Sequence, residues 1–352
     1  MTNEIVFSTE GASGLVMMNR PDALNALTLG MVRAMVPQLR AWADDRAVSH
    51  ILIEGAGERG FCAGGDIRAL HDWGRAAAPE ATGFYREEYQ LNRMIKTYPK
   101  PYIALMDGIT MGGGVGVSVH GRYRVATENT VFAMPETGIG LLPDVGGTYF
   151  LPRLPGQIGS YLVLTGARLK AADCLYAGIA THTMPAARLP QLKAALAEGA
   201  PVEATLDAMH EAIGAAQLPD LQADIDAIFA GDKVTDILAA LEKQAAAGDE
   251  KAAWAQKQID IINTKSPTSA AVALRQMRDG AAQDFDCCMQ IEMRAVTRLM
   301  ALPDFYEGVR AIIIDKDNAP LWTPARHADV TAAQIDAIFA SLGEEELTFG
   351  EK

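Results

Sequence analysis

The chain has 352 residues, 49% of them hydrophobic and 21% charged, enough apolar sequence to bury a substantial core in one large domain or two smaller ones. Asp and Glu outnumber Lys and Arg by 44 to 31, a formal net charge of -13, which argues against a broad electrostatic footprint on nucleic acid or an anionic membrane. No apolar run approaches the roughly 20 residues needed to cross a bilayer. The opening stretch, MTNEIVFSTEGASG, has neither the basic-then-apolar layout of a secretory signal nor the Arg-rich character of a transit peptide, and it predicts a cytoplasmic protein.

In chain order, IVFS and GLVMMN read as strands, and Thr28 to Trp42 reads as a helix capped by Thr28, with Met31, Met35 and Leu39 at helical spacing. HILIEG is a further strand, Glu80 to Tyr98 a second long helix, and PYIALMDG and RYRVAT two more strands. This alternation predicts an α/β domain over residues 1–184. After Thr183 the sequence turns Ala-rich and helical, as in LPQLKAALAEGA, so a helical region is expected over 185–352, folding back on the first.

Cys62, Cys174, Cys287 and Cys288 show no zinc-like spacing and are expected as reduced thiols, and no pair of histidines has metal-ligand spacing. GAGERG at Gly55 fits a dinucleotide fingerprint, but FCAGGD intervenes before any helix and no acidic residue ends a second strand where one is needed. VGVSVHG resembles a serine-hydrolase elbow, except that His120 stands at its final glycine.

Two glycine clusters fit chemistry better: FCAGGDIRAL from Phe61 and DGITMGGGVGVSVH from Asp107. Each follows a strand and opens a helix. Such junctions expose unpaired N–H groups, and the missing Cβ lets a ligand approach the backbone. Together they suit a thioester carbonyl that becomes negatively charged, for which each fixed donor is worth roughly 3 kcal/mol. Singly, either cluster reads as an ordinary tightly packed turn. Glu136 and Asp144 lie in MPETGIGLLPDVGGTYFLPRLPG, where two carboxylates beside apolar residues can divide acid, base and nucleophile roles. A solvated loop with two ordinary charges is the other reading.

Five segments resemble, in order, the motifs of the crotonase or enoyl-CoA hydratase/isomerase superfamily: NRPDALNALT, GERGFCAGGDI, DGITMGGGVG, FAMPETGIGLLPDVGGTYFLPRLPG and LTGARLKAADCLYAGIA. The resemblance implies a crotonase-like spiral of ββα turns, followed here by a helical C-terminal region. It implies an oxyanion hole from the N–H groups of Gly65 and Gly113, and coenzyme A held by Leu24, Ala63, Gly65, Asp66, Ile67 and Arg68. No cofactor is implied beyond the coenzyme A of the substrate, and no metal.

Side chains around the thioester decide the subgroup. Hydratases of the family carry one glutamate two residues past the glycine triplet and another in the following loop; here the first position is Gly116 and only the second, Glu136, is acidic. With Asp144 in PDVGG, this resembles the family's thioester hydrolases that cleave 3-hydroxyisobutyryl-CoA in valine breakdown. FYREEYQLN, SPTSAAVALRQMRDG and DFYEGVRAIIIDKDNAPLWTPA resemble the same subgroup, and Glu88 matches its substrate-contact position. The resemblance implies two catalytic carboxylates, Glu136 as nucleophile or general base and Asp144 on the 3-hydroxyl and in proton transfer, with Glu88, Gly113, Glu136 and Asp144 binding the acyl-CoA. An enoyl-CoA isomerase or hydratase and a non-catalytic CoA-binding module are the alternatives. A homo-oligomer is left open, because hydratases of the family commonly form trimers and a large helical second half could cover that interface.

Overall fold

The structure is a computed structural model, and it describes residues 3–248 and 250–350. Nine strands form among these residues: β1 (Ile5–Glu10), β2 (Ser13–Met18), β3 (His50–Gly55), β4 (Gly60–Cys62), β5 (Tyr102–Met106), β6 (Ile109–Met111), β7 (Tyr123–Ala126), β8 (Val131–Ala133) and β9 (His182–Thr183). Six make one sheet in the order β1-β2-β3-β5-β7-β9, and three make a second in the order β4-β6-β8. β1 runs antiparallel to β2, and the other pairings are parallel. Parallel strands covered on both faces read as continuous apolar runs, and β5, YIALM, is buried along its whole length.

The chain places β3, β5 and β7 in the large sheet and the strand after each in the small one. β4 leads to the helix Ile67–Arg75 and β6 to the short helix Gly113–Gly116. This repeated step is the expected ββα spiral. The first long helix runs Leu29–Asp44, and the Thr28 hydroxyl accepts the Met31 N–H as its cap. Met31, Val32, Met35 and Leu39 line its buried face.

Two compact units emerge, each discontinuous in sequence. The first holds residues up to Asp66, Glu87–Ala133 and Arg168–Pro219. In it, Leu52, Ile103, Leu105 and Val125 of the sheet pack with Leu192, Leu196 and Leu206 of the helices Leu189–Ala197 and Val202–Met209. The passage from strand to helix near residue 185 is thus a change of secondary structure within this unit. Truncating Leu192, which is fully buried, would cost about 2–5 kcal/mol.

The second unit holds Ile67–Arg86, Met134–Ala167 and the chain from Asp220 on. Its helix Pro267–Gly280 is capped by Ser266 and buries Val272, Ala273, Leu274 and Met277. Gly280 is obligatory there, since a Cβ would stand 2.1 Å from the Thr148 carbonyl oxygen. Among the described residues no helix is long and apolar enough to cross a membrane.

Candidate active site

In the first unit, the turn carrying Leu24 and the AGGD turn are joined by hydrogen bonds. Leu24 takes a left-handed conformation, and its carbonyl accepts the Ala63 N–H at 3.0 Å. The Leu27 N–H donates to Gly64 O and the Asp66 N–H to Leu27 O, at 2.8 and 2.9 Å. That parallel bridge uses the groups on either side of Gly65, leaving the Gly65 N–H pointing away from it. Asn25, fully buried, binds the carbonyls of Ala56 and Gly60 through its amide nitrogen and receives the Arg20 N–H on its oxygen. Arg20 also pairs with Asp66 at 3.0 Å. Leu24, Ala63, Gly65 and Asp66 are therefore brought together, while Ile67 and Arg68 open a helix of the second unit.

The DGITMGGG turn meets AGGD directly. A Cβ on Gly113 would lie 3.2 Å from Gly65 N and 2.7 Å from Glu88 Oε1, and one on Gly114 only 2.1 Å from Cys62 O. Neither the Gly65 nor the Gly113 N–H donates to another group among the described residues. Glu88, 2% exposed, comes from the helix Glu80–Lys96. One turn further on, Asn92 is fully buried, and neither polar atom of its amide has a hydrogen-bond partner. Burial pushes the neighbouring Cys62 thiol up to about 12, which leaves it a packing residue and not a nucleophile.

In the second unit, Glu136 opens the 3-10 turn Glu136–Ile139 and is 7% exposed. Its Oε2 has no hydrogen-bond partner. Burial holds its carboxyl well above the usual carboxylate range, and the charges of Asp144 and Glu292 add to that. Asp144, also 7% exposed, lies in the Pro143–Gly147 loop. The next residue, Val145, has φ 51°, a left-handed conformation that is unfavourable for a β-branched side chain. Glu136, Asp144 and Glu292 thus form one acidic group within this unit.

Glu292 and Gln276 escaped the sequence reading. Glu292 is fully buried, and burial with the charge of Asp144 raises its proton affinity to about 8, against the opposing pull of two backbone N–H groups. A signal was present, because Glu292 falls in the apolar stripe Phe285, Cys288, Met289, Met293, Val296 of the helix Phe285–Leu299. A charged residue at a core position needs a buried partner. Among the described residues no group of three or more His, Cys, Asp or Glu could hold a metal.

The family model described as Enoyl-CoA hydratase/isomerase matches residues 13–339. A relative from Xenopus tropicalis, named 3-hydroxyisobutyryl-CoA hydrolase, mitochondrial, is 46% identical over 98% of this chain and 90% of its own length. The Gallus gallus protein of the same name is 44% identical over 98% and 90%. A solved structure described as a carnitinyl-CoA dehydratase from Mycobacterium thermoresistibile superposes with a TM-score of 0.93 at 41% identity, covering 100% of both chains. The fold is therefore the crotonase spiral with a helical C-terminal region. The expectation of a cytoplasmic protein is overturned, because these relatives are named as mitochondrial. That expectation rested on a short N-terminal stretch, which does not determine a compartment. With the family model matching most of its length, the chain belongs to the enoyl-CoA hydratase/isomerase family.

Proposed function

We propose that the protein hydrolyses an acyl-CoA thioester, with 3-hydroxyisobutyryl-CoA as substrate and 3-hydroxyisobutyrate and free coenzyme A as products. Coenzyme A enters as part of the substrate. The acyl group is supported by the name shared by relatives that match nearly the whole chain. The observation that carries the chemistry is Glu136, a buried carboxylate with an oxygen free of hydrogen bonds and a raised proton affinity. A buried, unpartnered carboxyl with a raised proton affinity is the kind of group that marks a functional site.

In this reading the thioester oxygen is held by the Gly65 and Gly113 N–H groups, whose fixed dipoles stabilise the oxyanion by roughly 3 kcal/mol each. A Glu136 oxygen attacks the carbonyl carbon, the C–S bond breaks and coenzyme A leaves as thiolate; water then hydrolyses the mixed anhydride and regenerates Glu136. The alternative route has Glu136 take a proton from the attacking water. Label found in the Glu136 side chain after turnover in labelled water identifies the covalent route, since direct attack by water places label only in the product. Asp144 accepts the hydrogen bond of the substrate's 3-hydroxyl, and Glu88 completes the acyl site. A site built to bind that hydroxyl discriminates against acyl groups lacking it. Leu24, Ala63, Asp66, Ile67 and Arg68 bind coenzyme A.

The dehydratase activity for which the Mycobacterium protein is named is the competing chemistry. Gly116 speaks against it, because two-carboxylate water addition needs a second acid where this chain has none. A panel of 3-hydroxyisobutyryl-, 3-hydroxypropionyl-, isobutyryl- and enoyl-CoA, assayed for free thiol and for enoyl-thioester absorbance, tests the proposal. Thiol release that favours the 3-hydroxyacyl thioesters supports it. Interconversion of enoyl- and hydroxyacyl-CoA without thiol release refutes it.

A further inference from the structure

We infer that Glu292 is a positioning residue for Asp144, and through it for recognition of the substrate's 3-hydroxyl group. The inference rests on the reading of Asp144 given above. The Oε2 atom of Glu292 accepts the Gly146 N–H and its Oε1 accepts the Thr148 N–H, each at 2.8 Å. These donors lie two and four residues beyond Asp144, whereas Glu292 itself comes from the distant helix Phe285–Leu299. From the helix Pro267–Gly280, Gln276 holds the Thr148 hydroxyl at 2.8 Å and the carbonyl of Pro143, the residue just before Asp144. The loop is thus gripped on both sides of Asp144 by two fully buried polar side chains.

The grip has a specific job. Val145 is held in a left-handed conformation that a valine does not adopt unless its surroundings over-determine it. Asp144 is the one ionisable side chain between Pro143 and Thr148, so the geometry imposed on the loop is delivered to that carboxylate. Placing a third carboxylate beside Glu136 and Asp144 is electrostatically unfavourable, as the raised proton affinities of Glu136 and Glu292 record. Two backbone N–H groups aimed at one side chain explain its presence, because both oxygens of a carboxyl group keep acceptor capacity in either protonation state, while an amide of the same shape turns its own N–H toward one of them.

The test measures kcat and KM for thiol release from 3-hydroxyisobutyryl-CoA and from isobutyryl-CoA, which lacks only the hydroxyl. The full-length wild type, Glu292→Gln, Asp144→Asn and the double variant are compared, with melting temperatures to verify folding. Glu292→Gln is expected to reduce the kcat/KM preference for the hydroxylated substrate by about tenfold. In the double variant the preference is expected to fall no further than in Asp144→Asn alone, as for two residues acting through one contact. An equal loss on both substrates, or additive losses, overturns the inference and leaves Glu292 a purely structural clamp. If Asp144→Asn removes the preference and Glu292→Gln retains it, the inference alone fails. If Asp144→Asn also retains it, the reading of Asp144 fails and the inference with it. Should Glu292→Gln not fold, Gln276→Leu loosens the same loop from its other side and is judged by the same criterion.

Discussion

The negative charge of Asp144 raises the proton affinity of Glu136, adding to burial in holding that carboxyl well above its ordinary range. For the proposed chemistry Glu136 must be ionised. The acidic limb of the kcat/KM profile should therefore lie above the ordinary glutamate value of 4.5. Replacing Asp144 with Asn removes the repulsion, so the limb measured on the residual activity should move to lower pH. A limb that stays in place, or moves up, would show that Asp144 does not act on Glu136.

Glu292 gives a stability signature of the opposite kind to a salt-bridged carboxylate. Its folded value of about 8 lies above the ordinary 4.5, so the protonated form is the one that folding favours. The contribution is fully present below 4.5 and is lost as pH rises through about 8. The melting temperature of the wild type should accordingly fall relative to that of Glu292→Gln across this window. Parallel curves would mean that Glu292 titrates normally.

The glycine turns predict a contrast between neighbours. An alanine Cβ at Gly113 would meet the movable Oε1 of Glu88 at 2.7 Å and Gly65 N at 3.2 Å, so the fold should survive while the oxyanion site is crowded. Loss of one such donor costs about 10²–10³ in kcat. At Gly114 the Cβ would lie 2.1 Å from the Cys62 backbone oxygen, which cannot retreat without moving β4. Gly113→Ala should therefore lower kcat with a modest change in melting temperature, and Gly114→Ala should lower the melting temperature sharply. The reverse pattern would remove Gly113 from the site.

The strands β1, β2, β3, β5 and β7 were readable because each carries at least three apolar residues in a run of four to six. β4, β6 and β8 have three residues each and adjoin glycine or proline turns, too short to show any period. The Thr28 cap was legible because its signal is local. The contacts of Glu292 were not, because its partners are backbone N–H groups, the nearer one 144 positions away, which carry no side-chain identity. Gln276 lies in a segment whose resemblance was clear, yet its hydrogen bonds to Pro143 and Thr148 exist only in the folded chain. Glu88 was located by resemblance alone. In the fold its Oε1 lies beside the Gly113 turn.

The central claim is that Glu136 drives hydrolysis of the thioester. It is tested most directly by comparing free-thiol release from 3-hydroxyisobutyryl-CoA by the wild type and by Glu136→Gln, which preserves shape and removes the charge. The account predicts steady thiol release by the wild type and a loss of about 10²–10⁴-fold in kcat for a folded variant. Wild-type protein that releases no thiol, or a Glu136→Gln variant that keeps full activity, would contradict it.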